Sequence, residues 1–456
     1  MKRKYTIMIT SFILFGLLCP AIGQTQSNAA QFANTIAPFV DDQTFAVARL
    51  DISQLDIDAI VKQALEFLPD QSDETSAIRK EITLAIYAAQ EIARLWQQTF
   101  AKAGGRDIYG VYSMYDVPYF FVVVPLEPGA DVPTLKSWLA TVAQGFDIGV
   151  FDSTQIGNVL VAGRKETVER VKTMQTTARP ELMAAFVAAN DATVHLLVLP
   201  TLDQRRVIEE MMPSLALPNG DIPSTTLTQG IRWMAVGLNL PPQMSLNARA
   251  KSQDAQAAQN LKNLVDQFYA YIGSVHEVQQ LFPNIKELLD RVQPSVKADQ
   301  VVLSLDTQEM DSLFHEIRQS IVAIVQEETC QIQCRRQLRR MGNGFAMYQN
   351  DYDGKNPPTL KPLVEEEGLP PECLICPAIR AKGGKETYIY RGIDLNPNID
   401  SGLILVHDKK GNHKGYRNVL FNGGHVERLA EEKFQEEIKR DNELRKKNNL
   451  PEKPAE

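Results

Sequence analysis

Residues 330–354 read CQIQCRRQLRRMGNGFAMYQNDYDG. Within them Cys330, Cys334, Leu338, Met341, Phe345, Tyr348 and Tyr352 recur at three- and four-residue intervals, so a helix carries them all on one face. Asp353-Gly354 is its stop signal. Downstream, the diproline Pro357-Pro358 and a short amphipathic piece, Leu360 to Val364, lead to a second thiol pair, Cys373 and Cys376. The pattern then turns to strands at Tyr388 to Tyr390, Leu403 to Val406 and Asn418 to Phe421, the last joined through Asn422-Gly423-Gly424 to His425-Val426. Asn-Gly between two apolar runs is a hairpin signal, because both residues tolerate the positive φ of a tight turn. The expectation is one helix laid on a small antiparallel sheet, and four of the chain's five cysteines and three of its six histidines fall in this region, 330–429.

The series Cys334, Leu338, Gly342, Tyr348, Asp351, Gly354, Pro357-Pro358, Leu360, Leu363 and Cys376-Pro377, closing with Arg417 to Phe421 and Asn422-Gly423-Gly424-His425-Val426, resembles the globular head of prepilin-type pseudopilins. The likeness is to the uncharacterised extracytoplasmic families of planctomycete-type bacteria. It covers the last quarter of the chain, and no family is recognised in the first two thirds. It implies a helix-plus-sheet head with a Cys334–Cys376 disulfide, which leaves Cys330 to pair with Cys373. The chain departs from the pattern in three places. It has no prepilin cleavage motif with a hydrophobic N-terminal helix, it carries Gly423 where the family usually has Asp before Gly-His, and Cys330 and Cys373 are additional. The head fold therefore carries over and assembly into a pilus does not.

Spacing alone leaves the thiol chemistry open. Two close pairs can form disulfides in an oxidising compartment, bind zinc as four thiolates, or stay as free or redox-active thiols, and four cysteines allow three connectivities. Closing a loop of this size with a disulfide stabilises the folded head by roughly 4 kcal/mol in the chain-entropy model. His407-Asp408, His413 and His425 are candidates for a metal or an acid–base pair, set against the plainer reading of solvated loop histidines, since no HxH or HExxH spacing is present. Gln349 to Gly354 resembles the start of a calcium loop but has Gln at the first ligand position and Leu360 where the bidentate Glu belongs, so it reads as a turn. Arg335, Arg336, Arg339 and Arg340 form a basic helical patch, a solvated face or a contact for acidic partners.

At the other end, Lys2-Arg3-Lys4 precede an apolar run from Ile7 to Cys19 and the small-x-small site Ala21-Ile22-Gly23. This predicts a Sec signal peptide over 1–23 and an extracytoplasmic location, with an uncleaved N-terminal anchor as the alternative. The run is shorter than the ~20 residues of a spanning helix, so no integral span is expected after cleavage. Leu18 stands where a lipoprotein needs a small residue before Cys19. A net charge of −8 and export both argue against a nucleic-acid partner.

The rest of the chain reads as α+β. Residues 24–43 are expected to be a polar linker with a short helix. Two similar β-α-β-β-α-β domains with antiparallel sheets follow at 44–178 and 179–308, an internal duplication inferred from repeated strand, polar corner and helix order. In the first, a helix is expected to bury the stripe Ile78, Ile82, Ile86, Ala89, Ala93, Trp96 and Phe100. In the second, the turn-rich stretch Pro218 to Thr228 reads as a surface loop. A connecting helix (309–329) leads to the head (330–429), and a charged tail (430–456) reads as a solvated helix that frays.

No nucleophile elbow, phosphate loop, Ser-His-Asp order or paired-carboxylate motif stands out, and the two large domains show few internal polar positions. The expected function is an exported non-enzymatic scaffold that holds out a cross-linked head toward envelope or secreted proteins, with no cofactor. The alternative is a zinc-binding or metal-dependent hydrolytic protein that uses the head's cysteines or histidines.

Overall fold

The computed structural model describes residues 25–68, 76–117, 119–144, 151–216, 220–380, 383–384 and 388–456. The signal peptide and the Cys19 reading lie outside them. The chain divides into two compact units, the larger drawn from Met1–Leu68 and Glu81–Ser320, the smaller from Pro69–Lys80 and Ile321–Glu456.

The larger unit is built on one ten-stranded antiparallel sheet. Its first half supplies β1 (Thr44–Asp51), β2 (Asp107–Ser113), β3 (Phe121–Pro125), β4 (Phe151–Ile156) and β5 (Val159–Arg164). The second half opens with β6 (Val194–Val198), followed by a separate two-stranded ribbon, β7 (Ser214–Leu215) and β8 (Ile222–Pro223). It returns to the main sheet with β9 (Trp233–Asn239), β10 (Ser245–Lys251), β11 (Ser295–Lys297) and β12 (Gln300–Leu305). Across the sheet the order is β11-β12-β10-β9-β6-β1-β2-β3-β5-β4. Read outward from the β6–β1 seam, and leaving the ribbon aside, each half runs first, second, third, fifth and fourth strand.

That repetition is the order a duplication would leave, but the two expected sheets are one. β1 pairs β6 from Ala46↔Val198 to Leu50↔Val194, so each half hides the edge it would otherwise expose. Side chains alternate across the strands. Val47, Val111, Val123 and Val161 face the helices Thr25–Ile36 and Pro180–Ala189, while Val124, Leu160 and Ala162 face Phe100, Leu135 and Leu139. Helix Pro180–Ala189 can approach β9 closely because a Cβ at Gly237 would lie 1.8 Å from the Ala189 carbonyl oxygen.

Two sequence expectations change here. The short helix expected within the 24–43 linker forms as Thr25–Ile36, but it is core and not linker, since its Ala29, Phe32, Ala33 and Ile36 are buried in the main core. Its apolar residues recur at helical spacing, a signal that its Ala- and Gln-rich composition masks. The long helix forms as Ser76–Lys102, but of its expected stripe only Phe100 is buried among the described side chains, with Ile82 40% and Trp96 39% exposed.

The expectation of few internal polar positions also fails. At the β1–β6 seam, where Arg49 faces His195, the buried Arg49 guanidinium contacts Asp51 Oδ2 (3.1 Å), Asp107 Oδ1 (2.6 Å), the Ala192 carbonyl (3.2 Å) and His195 Nδ1 (3.4 Å). It also stacks 3.6 Å over the Phe32 ring. Burial, reinforced by the Arg49 charge, pushes His195 down to about 4. The unfolded chain therefore takes up a proton at this histidine near pH 6.5 that the folded chain refuses until about pH 4. Stability falls as pH drops through that window, by roughly 3 kcal/mol at most. Burial raises Asp107, whose linkage has the opposite sign, so the histidine's share is the difference between native protein and His195→Gln. Urea midpoints at pH 7 and pH 4.5 should fall less with acid in the variant, and parallel slopes would exclude the histidine as the cause.

The smaller unit combines helices with an antiparallel sheet. Helix Thr307–Asp351 enters it as one continuous element and ends where Asp353 and Gly354 take positive φ. Cys330, Cys334, Leu338, Met341, Phe345 and Tyr348 are buried on one face, while Tyr352 is exposed. The sheet is β13 (Tyr388–Tyr390), β14 (Ile404–Asp408), β15 (Tyr416–Phe421) and β16 (Val426–Ala430), antiparallel in that order, with β15 and β16 joined by the Asn-Gly-Gly turn. The charged tail is a further correction. Helix Glu431–Lys447 buries Phe434, Ile438, Asp441 and Arg445, and the Lys453 ammonium reaches Asp394 at 2.9 Å. Phe434 and Ile438 supply an apolar stripe that the surrounding charges conceal. Among the described residues no helix is long and apolar enough to cross a membrane.

Candidate metal centre

Four elements of the smaller unit converge on one buried point. Cys334 comes from the long helix, Cys376 precedes the short helix Pro377–Arg380, Asp408 ends β14, and His413 sits in the turn to β15. Gly411 and Gly415 bracket that turn with φ of 85° and 74°, a conformation that lets the chain fold His413 back over the sheet end. The four side chains each offer a ligand atom, all within 4.8 Å of one another, and the residues are at most 5% exposed.

Three of these separations, taking whichever Asp408 oxygen is nearer, come close to the edges of a small-cation site. Cys334 Sγ lies 3.3 Å from Asp408 Oδ1, Cys376 Sγ 3.3 Å from His413 Nε2, and His413 Nε2 3.6 Å from Asp408 Oδ2. A tetrahedron with bonds of about 2.0–2.3 Å has edges of roughly 3.3–3.8 Å. The surrounding shell holds the set in place. His413 Nδ1 is 3.1 Å from Glu327 Oε1, leaving Nε2 aimed inward, the carboxylate–histidine arrangement usual behind a ligating imidazole. Asp408 Oδ2 accepts from the Asn418 backbone N–H (2.7 Å) and Nδ2 (2.8 Å), and Tyr388 Oη lies 3.2 Å from Cys334 Sγ.

The electrostatics separate the four groups. The hydrogen bond from Cys334 draws Cys376 down to about 6 against burial, with His413 adding to it. Burial pushes His413 down, but its bonds to Cys376 and Glu327 outweigh this and hold it at about 10. The His413 contact in turn holds Glu327 at about 2. Burial raises both Cys334 and Asp408. The site thus pairs a thiolate with an imidazolium and adds two groups, Cys334 and Asp408, whose ionisation burial opposes and a nearby positive charge would favour.

Of the residues singled out in the sequence, Cys334, Cys376, Asp408 and His413 come together. Cys330 and Cys373 are buried outside the set, and Arg340 and Glu372 bear on Cys373, whose thiol burial raises. No disulfide joins Cys330, Cys334, Cys373 and Cys376 in the structure. His407 is buried, with Nδ1 2.8 Å from the Asp408 carbonyl and its ring on Phe434, while His425 is exposed and stacked on Phe421. The plainer reading of solvated loop histidines therefore holds for His425 and fails for His407 and His413. Glu327 carried no sequence signal, since it lies 86 residues from the histidine it orients. Comparison with family models, curated proteins and solved structures returns no match.

Proposed function

We propose that this is a non-enzymatic zinc-binding protein whose C-terminal unit is clamped by one ion held by Cys334, Cys376, Asp408 and His413. The observation that carries the reading is the convergence of four buried ligand atoms within 4.8 Å, with Glu327 behind the imidazole. Four protein ligands and no exposed position describe a structural site, because catalytic zinc keeps one place for water. The ion would be a Lewis acid already satisfied by the protein. Cys334 and Cys376 would bind as thiolates, and His413 through Nε2.

In this reading the chain is exported by its N-terminal segment, and the clamped unit is a rigid surface offered to envelope or secreted proteins. The layout of a long helix on a four-stranded antiparallel sheet supports a pseudopilin-like head. The contact between the Cys334 and Cys376 thiols favours one other reading, a disulfide between them. Elemental analysis and intact mass separate the two. Zinc at one per chain, with Cys334 and Cys376 alkylated only after chelation, is the expected result. A metal-free protein two hydrogens lighter than its reduced form would overturn it.

A further inference from the structure

The larger unit contains a cavity of about 510 Å³ between its sheet and helix Ala255–Ser274. Its floor is the face of β10 and β12 that presents Ala248, Ala250, Val301 and Leu303. The helix sits down on this floor at its first turns, where Ala257, Ala258 and Leu261 are buried. Further along, Ala248 of the floor is left partly exposed and Phe268 of the helix remains 50% exposed. Leu215 of β7 and Ile222 of β8, the ribbon inserted into the second half, close a third side. Part of the turn-rich stretch expected as a surface loop thus becomes a wall, while residues 217–219 lie outside the described set.

Interiors rarely leave voids larger than a water molecule, and this space has the size of a small-molecule site. The nature of its wall selects the occupant. Arg249 contributes only the strand backbone, since its side chain alternates to the face opposite Ala248 and Ala250. The Tyr269 hydroxyl already donates to the Val292 carbonyl at 3.3 Å. Among the described residues no charged side chain of the wall faces the cavity, so nothing there would orient a polar ligand. From Leu261 to Phe268 the slot runs about 10 Å along the helix. A partly open slot lined almost wholly by apolar side chains accepts a chain end and leaves a head group in water.

We infer that this cavity binds one acyl chain of a lipid, with the head group outside. The inference is independent of the metal centre. The test uses the full-length protein and displacement of a fluorescent undecanoic acid probe by saturated fatty acids of four to fourteen carbons, with the matching alcohols alongside. One site per chain is expected, tightening roughly fourfold per added methylene until the slot is full. Acid and alcohol of equal length should bind alike. Ala248→Phe, which fills the partly exposed floor, should weaken binding at least tenfold without lowering the thermal midpoint, and Val265→Phe serves if that variant does not fold. Absence of saturable binding, affinity independent of chain length, or binding unchanged in a folded variant would each overturn the inference.

Discussion

Asp441→Ala is expected to cost the smaller unit roughly 3–5 kcal/mol, because it leaves two buried guanidinium groups without their shared carboxylate. Asp441 Oδ2 accepts from Arg391 Nη2 at 2.5 Å and from Arg445 Nε at 2.9 Å, and its Oδ1 accepts from the Ile404 backbone N–H of β14 at 2.7 Å. All three side chains are at most 1% exposed. Arg445 then reaches Asp394 at 3.1 Å and the Arg391 carbonyl at 2.6 Å, and Arg391 reaches the carbonyls of Lys453 and Pro454. One carboxylate thus ties the C-terminal helix, a sheet strand and the last residues of the chain together. Domain stabilities are about 5–15 kcal/mol, so a loss of this size removes a large part of the total. Urea unfolding followed by limited proteolysis should show the smaller unit melting early while the fragment from the larger unit persists. Asp441→Asn keeps an acceptor for Ile404 and should fall between. A loss below about 1 kcal/mol in the alanine variant would mean that the network contributes little.

What the sequence disclosed follows from how local each signal is. The hairpin β15–β16 and the cysteine-bearing helix were legible, because turn chemistry and helical spacing act within a few residues. The joining of two repeats into one sheet was not. Alternation shows which side chains share a face, but not whose edge lies beside β1, and its partner β6 stands about 146 residues away by the Arg49–His195 pair. The proposed metal site was half legible. Both cysteines, the aspartate and the histidine drew notice as residue types, yet no spacing rule could link them, since each comes from a different element. The tail misled because its many charges read as a solvated face, although Phe434, Ile438, Asp441 and Arg445 share one side of its helix.

Arg49→Ala is the counterpart for the larger unit, with an expected cost of roughly 3–5 kcal/mol. Truncation leaves Asp51 and Asp107 near each other in the seam with only the half-exposed Arg106, 3.6 Å from Asp51, as a neighbouring cation, and it opens a space under Phe32. Asp51 keeps its bonds from the Ser53 backbone N–H and from Gln54 Nε2, so Asp107, which burial already raises, would be the group that takes up a proton. The loss should therefore shrink as pH is lowered from 7 toward 5. Removing the charges together tests the same logic from the other side. Arg49→Met with Asp107→Asn fills the space and removes the orphaned carboxylate, and it should recover more than half of the loss. Hydrogen exchange places the effect in the fold, since the seam amides of β1 and β6 should exchange faster in Arg49→Ala while those of the outer strands β4 and β11 change little. If the double variant were no better than the alanine variant, unpaired charge would not be the source of the loss, and the cluster would act through packing against Phe32 alone.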